Sequence, residues 1–334
     1  MEKIIESQSG KFIIRPYRIE DEKGVLELWE TAFGKKMSPE LWQWKYTKNP
    51  YGYNIVLCVS ENGDTVAMYA GIPYVANWQG KNIRMTHPMD SMSNPRYRSV
   101  LSGKGGLFFK TADVFFENYG GEHASVFMYG FPGKKVFTLG GKILKYVKIE
   151  GGTAYMTASP ADVTQKTLPF YGKIERLTQI KKLNQLAEEY RKHYPLSVLR
   201  DEKFITWRFD NHPENSYEIW SYVSYFYKRL KGYIVLSFKG EKAVIIDIFM
   251  PPSEKSLKDF IIRLSRVLAE KGITQIETWL PAGHFLTRGL LSSGFRTFQE
   301  PLGIIPVTRT FYSQMSSEWA CENLFYTMAD ADLF

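Results

Sequence analysis

The chain has 334 residues, 44% hydrophobic and 23% charged, long enough for two folded domains and too apolar for a disordered chain. Its formal charge of +8, from 43 Lys and Arg against 35 Asp and Glu with no dense basic tract, suits an anionic ligand such as a nucleotide cofactor and argues little for nucleic acid. No run nears the roughly 20 apolar residues of a membrane span, the first residues lack a secretory apolar core, and Cys58 and Cys321 stand alone, so neither membrane, disulfide framework nor zinc is expected and the default location is cytoplasmic.

In chain order, Phe12–Tyr17 reads as a strand and Glu20–Phe33 as a helix with Val25, Leu28, Trp29 and Ala32 on one face. Tyr53–Ser60 and Val66–Val75 read as strands around the turn Glu61-Asn62-Gly63-Asp64. Cys58, inside the first of these, reads as a small buried hydrophobe. Asn82–Ser93 is a further strand, followed by a glycine-rich loop, a helix over Leu107–Asn118, a strand at Ala124–Tyr129 and a short helix near Lys134–Leu139. Residues 147–171 hold Gly, Thr, Ser and Pro with little periodicity and read as a domain boundary. Beyond it come a strand (Gly172–Leu177), a helix (Lys182–Arg191) and three strands (Tyr217–Val223, Arg229–Phe238, Lys242–Met250). The amphipathic helix Ser256–Lys271, a strand at Gln275–Leu280 and a helix at Phe285–Ser292 complete the pattern. Such alternation predicts an α/β fold built on mixed sheets. The 21 Tyr and 22 Phe fit either aromatic strands or a lined pocket.

An internal repeat organises these elements. Trp44-Lys45-Tyr46 with Pro50 matches Trp207-Arg208-Phe209 with Pro213, at an offset of 207 − 44 = 163. Asp90 through Pro95 matches Asp247 through Pro252 at 247 − 90 = 157, and Phe131-Pro132-Gly133 matches Leu280-Pro281-Ala282 at 280 − 131 = 149. Three matches in one order, with a shrinking offset, predict a tandem duplication with loop deletions in the second copy. The expected domains are residues 1–150 and 151–334, with Trp44 and Trp207 in equivalent core positions.

Common catalytic signatures are missing: there is no G-x-S-x-G, H-E-x-x-H, Walker lysine motif or G-x-G-x-x-G. His87, His123, His193, His212 and His284 are scattered, so no metal is expected. The informative segment runs from Asp90 to Leu107: a strand, a basic turn at Pro95-Arg96-Tyr97-Arg98, and a loop that opens a helix. Unpaired N–H groups and the macrodipole make a helix N-terminus an anion site. Gly103, Gly105 and Gly106 would let a phosphate approach the backbone, with Arg98 and Lys104 adding charge. The matching loop of the second copy, Met250-Pro251-Pro252-Ser253, has two prolines and no glycine, so that copy is expected to be degenerate.

This segment resembles the cofactor motif of the GNAT superfamily, a strand, a loop of the type Gln/Arg-x-x-Gly-x-Gly/Ala and a helix. Gly103-Lys104-Gly105 fits its second half, Asn94-Pro95-Arg96-Tyr97-Arg98 is similar to the turn before it, and Val100 departs from the family's Gln or Arg. Tyr129-Gly130-Phe131-Pro132 and Leu139-Gly140-Gly141 resemble the family's fifth strand and Leu-Gly-Phe helix end. The resemblance implies two tandem GNAT-like domains, the first binding acetyl-CoA or another acyl-CoA and the second shaping the acceptor pocket or stabilising the first. It implies an N-acyltransferase that moves the acyl group to an amine on a small molecule or peptide by direct attack. Cofactor contacts would fall on the backbone of Met92 and Ser93 and on Arg98, Ser102, Gly103, Lys104, Gly105 and Gly106. The family's acid tyrosine would fall at Val136 or Phe137, so the acid stays unassigned. Asp90 and His87 are candidate bases, with Tyr129 comparable; strand alternation sets residues 87, 89 and 91 against 88, 90 and 92. Two other readings remain open, a Fem-type aminoacyl transferase using aminoacyl-tRNA and a non-catalytic binding protein of the same fold.

Overall fold

In chain order, the first half opens on strands β1 (Lys3–Ser7) and β2 (Gly10–Pro16), helices α1 (Glu22–Phe33) and α2 (Pro39–Trp42), and strands β3 (Asn54–Ser60), β4 (Thr65–Trp78) and β5 (Lys81–Ser93). Helix α3 (Leu107–Tyr119), β6 (Phe127–Gly130), α4 (Lys134–Val136) and β7 (Val147–Lys148) follow. The second half holds β8 (Thr153–Ala158), α5 (Pro160–Thr164), β9 (Gly172–Arg176), α6 (Lys182–Tyr190), β10 (Leu196–Val198) and α7 (Glu202–Ile205). It continues with β11 (Glu218–Ser224), β12 (Leu230–Lys239), β13 (Lys242–Phe249), α8 (Glu254–Glu270), β14 (Gln275–Pro281), α9 (Phe285–Ser292), β15 (Arg296–Phe298), β16 (Val307–Thr310) and α10 (Ser317–Asn323). This computed structural model describes residues 2–98, 100, 105–141, 143–164 and 171–331.

Two compact units emerge, Met1–Val75 with Ile83–Lys148 and Val307–Ala320, and Ala76–Asn82 with Ile149–Pro306 and Cys321–Phe334. The first sheet has the order β1-β2-β3-β4-β5-β6-β16-β7; at its β4 end, residues 76–78 of the second unit pair with β10. The second sheet runs β9-β11-β12-β13-β14-β8-β15. From β2 and from β9 onward the two orders correspond strand for strand. In each, one parallel pair (β5 with β6, β13 with β14) is followed by an antiparallel strand (β16, β8).

The origin of that last strand differs from the sequence expectation. Val307–Thr310, expected within the second domain at 151–334, completes the first sheet on β6. Thr153–Ala158, expected within the boundary segment, is an interior strand of the second sheet between β14 and β15. Its mix of Thr and Ala with one Tyr and one Met carries no strong period, so only pairing with β14 defines it.

A local module repeats as well. Ser38 caps α2 by accepting from Leu41 N at 3.2 Å, and Asp201 caps α7 by accepting from Phe204 N at 2.8 Å. Each short helix loosens into a π-helical turn, Gln43–Thr47 and Thr206–Asp210, which carry the two Trp-base-aromatic motifs. The caps lie 201 − 38 = 163 residues apart, the same offset as the tryptophans.

Most aromatics account for themselves as core. Phe115 and Phe116 of α3 pack with Ile14, Val56, Cys58, Ala67 and Tyr69 on the sheet, with Phe108, Phe109, Tyr119, Tyr146 and Phe311 around them. Each fully buried side chain of this size contributes about 1.5–3 kcal/mol. Cys58 is fully buried there, and burial pushes its thiol up to about 12. A thiol-exchange titration of the native protein should therefore count at most Cys321, with the second thiol appearing only in denaturant; two fast thiols would contradict the packing. Among the described residues no helix is long and apolar enough to cross a membrane, and no group of three or more His, Cys, Asp or Glu could hold a metal ion.

Candidate functional site

The site is built on the first sheet, where β5 meets β6. The two pair in parallel through Met85 with Phe127 and Thr86 with Met128, after which β5 runs on to Ser93. Pro88, two residues beyond the last of these pairs, has no N–H to give to a ladder. Gly71 of β4 lies against this stretch; a Cβ there would stand 2.9 Å from His87 O and 3.1 Å from Pro88 Cα.

Asp90 then adopts a left-handed backbone, φ 51°, inside a strand. Such a conformation costs about 1 kcal/mol or more for a non-glycine residue, Asp being among the few that visit it. Its carboxylate is buried: Tyr46 OH donates to Oδ2 at 2.7 Å, and Lys45 Nζ lies 2.7 Å from the same atom. The left-handed residue resets the alternation expected of a regular strand, so the face argument for residues 87–92 fails beyond Met89.

The three candidates for proton transfer have different surroundings. His87 and Tyr129 are brought together: both are buried, and their rings stack at 4.9 Å with a 16° interplanar angle, Phe131 meeting both edge-on. Asp90 is gripped by Lys45 and Tyr46. Sequence reasoning does not single out these two as site residues, because it takes their motif through its tryptophan as core. In the structure Trp44 is only half-buried, while Lys45 and Tyr46 are buried; Trp207, Arg208 and Phe209 are all buried. The signal that could have found them is the base between two aromatics, present in both copies.

The segment expected to hold an anion follows the C-terminal end of β5. A cavity of ≈ 150 Å³ is lined by Ser93, Asn94, Tyr97, Arg98, Val100 and Gly106, with Val66, Ala67 and Leu107 to Phe109 as its apolar walls. Arg98 is exposed and folds back on the strand end, its Nε donating to Ser93 Oγ at 3.4 Å and its Nη2 to Ser93 O at 3.3 Å. The Asn94 side chain accepts from Arg96 N at 3.0 Å and starts the turn. Tyr97 OH donates to Asp64 Oδ2 at 2.7 Å, a bond that pushes the phenol up from its ordinary value. Helix α3 begins at Gly106, which offers no side-chain cap to the first N–H groups. Gly105 is exposed, and Met92 is buried one residue before Ser93. Ser102, Gly103 and Lys104 lie outside the described residues.

The corresponding helix end in the second unit is closed by its own chain. Ser253 caps α8 by accepting from Ser256 N at 3.3 Å, after Pro251 and Pro252, and Glu254 adds a negative charge to the first turn. An anion there would meet a capped terminus and a carboxylate.

A strand ending in a tight turn, a helix entered through a glycine and a parallel neighbouring strand make up this part of the first sheet. The GNAT acetyltransferase domain family matches residues 13–110. No curated protein matches it by sequence. Among solved structures it is similar to a conserved protein of unknown function from Enterococcus faecalis V583, described as a probable N-acyltransferase. The two share 14% identity with a TM-score of 0.68, over 93% of this chain and 74% of that one. A GCN5-related N-acetyltransferase from Anabaena variabilis gives 13% identity and a TM-score of 0.65, covering 90% and 73%. Saccharomyces cerevisiae N-myristoyltransferase with bound myristoyl-CoA gives 10% identity and a TM-score of 0.54, covering 93% and 81%. These likenesses establish the fold.

Proposed function

We propose that the first unit is an N-acyltransferase site that takes its acyl group from an acyl-CoA, acetyl-CoA in the first instance, and passes it to an amine. The observation that carries this reading is the contrast between helix ends: α3 starts at a glycine beside Arg98 and a cavity, whereas α8 is capped by Ser253. The pyrophosphate would sit at the α3 terminus beside Arg98 and Gly105. The thioester arm would run along Met92 and Ser93 toward the end of the β5–β6 ladder.

Transfer requires the amine to lose a proton as it attacks the thioester carbonyl. His87 is the base we favour, stacked on Tyr129 just past the end of the β5–β6 ladder; Tyr129 and Asp90 are the alternatives. Asp90 already gives Oδ2 to two donors, which suits a structural part better. Direct attack fits the chain, since Cys58 is buried with its thiol pushed up to about 12 and is no acyl carrier. Calorimetry with acetyl-CoA should show one site per chain. Two sites would mean that the capped α8 end binds as well, and no binding at millimolar acetyl-CoA would favour a non-catalytic protein of this fold.

A further inference from the structure

Asp90 and Asp247 stand on corresponding strands, yet the chain treats them differently. In the first unit Asp90 is left-handed, and its cation is Lys45, from the π-helical turn after α2. In the second, Asp247 is not among the left-handed residues; the register of β12 with β13 slips beside it, between the pairs 235–247 and 236–245. Its cation is Arg200, with further bonds from Tyr233 OH and Thr327 Oγ1, each at 2.7 Å. Arg208, which occupies the place of Lys45 in the repeat, donates instead to Ala329 O at 3.1 Å and Ala331 O at 3.4 Å. The copy whose helix is entered through a glycine is thus the copy in which the motif's base grips the strand aspartate.

We infer that Lys45 is a positioning residue for the acyl donor: through its ion pair with Asp90, and with Tyr46, it holds the left-handed turn of β5 that presents the Met92–Ser93 backbone to the thioester arm. The inference deepens the function proposed above and rests on it. Asp90 lies three residues before Ser93, and Ser93 lines the cavity and carries Arg98. A strand residue forced into the left-handed region relaxes unless its side chain is held. Here it is held at 2.7 Å by two buried donors, one charged, whose own positions are set by Trp42 packed at a tilt against Tyr46, centroids 4.4 Å apart, and by Asn49 Nδ2 on Lys45 O at 3.0 Å. Release of Asp90 would let β5 return to regular extension and turn the backbone of residues 91–93 away from the arm.

The test compares two probes on the full chain. Acetyl-CoA carries the arm; 3′-phosphoadenosine 5′-diphosphate has the phosphates and no arm. Lys45→Met should weaken acetyl-CoA about tenfold or more and leave the short probe within about twofold, and Lys45→Arg should restore most of the loss. Tyr46→Phe, which keeps the ion pair, should show the same split with a smaller loss, and it carries the test if Lys45→Met does not fold. Equal losses for both probes would overturn the inference, since a merely structural lysine would affect them alike, and so would unchanged acetyl-CoA affinity. A wild-type protein that binds the short probe but gains nothing from the arm would overturn it too. Wild type blind to both probes would instead bring down the acyl-CoA reading itself.

Discussion

Replacing Arg200 with methionine should destabilise the protein by about 3–5 kcal/mol, a large share of the stability of an ordinary domain. Arg200 is fully buried, donates to Asp330 and to Val198 O, and lies 3.5 Å from Asp247. Its guanidinium also covers the rings of Phe204 and Phe325, each at 5.3 Å. Removing it leaves two carboxylates in the core without the cation between them, and breaking one side of a buried pair costs more than the pair itself contributes.

The same loss should depend on pH. Burial pushes the Asp330 carboxyl up and Arg200 pulls it back, so without Arg200 the folded-state value rises further. A carboxylate whose folded pKa exceeds its unfolded value costs stability above the unfolded value and nothing below it. The deficit should therefore be larger at neutral pH and shrink as pH falls toward about 4, the ordinary aspartate range. Urea denaturation at pH 7 and pH 5 checks both statements, and Arg200→Met/Asp330→Asn should recover part of the neutral-pH loss. A single variant within about 1 kcal/mol of wild type at pH 7 would show that the cluster does not hold the second unit together.

For ligand binding, the largest effect is expected from Gly105→Glu. A Cβ at Gly105 meets nothing within 4 Å, and the residue is not left-handed, so glutamate should fold without strain. Its carboxylate would stand one residue before the N-cap of α3, where the pyrophosphate is proposed to sit. Acetyl-CoA binding should weaken tenfold or more, about 1.4 kcal/mol at least, while Gly105→Ala keeps most of the affinity. The gap should narrow at high salt, because the opposing charge is exposed. Equal affinity for wild type and Gly105→Glu, measured by calorimetry at low salt, would move the phosphates away from this loop.

Much of the fold was legible because its signals are local. Apolar spacing places α1, α3 and α8 to within two residues, and β3, β5, β11 and β13 likewise, since periods of 3.6 and 2 need only near neighbours. The duplication was legible for a similar reason: the Trp-base-aromatic motif and the Asp-to-Pro strand ends persist as short strings. The glycine entry to α3 was legible too, because a glycine before an apolar run marks a helix start.

What the chain alone left open depends on distant partners. β8 and β16 have little pattern of their own and become strands only on β14 and β6, the second of these across 177 residues of sequence (Val307 pairs with Gly130). Lys45 and Asp90 are 45 residues apart, and no spacing rule links a base on a helical turn to a carboxylate on a later strand. The left-handed Asp90 is likewise invisible to alternation, because alternation presumes the regular strand that it interrupts. Sequence by itself determined most of the elements, the repeat and the glycine entry to α3, all of them properties of contiguous segments. Tertiary structure alone decided which strand completes each sheet and which cation grips each aspartate, because both are settled by which buried groups meet once the sheets have closed.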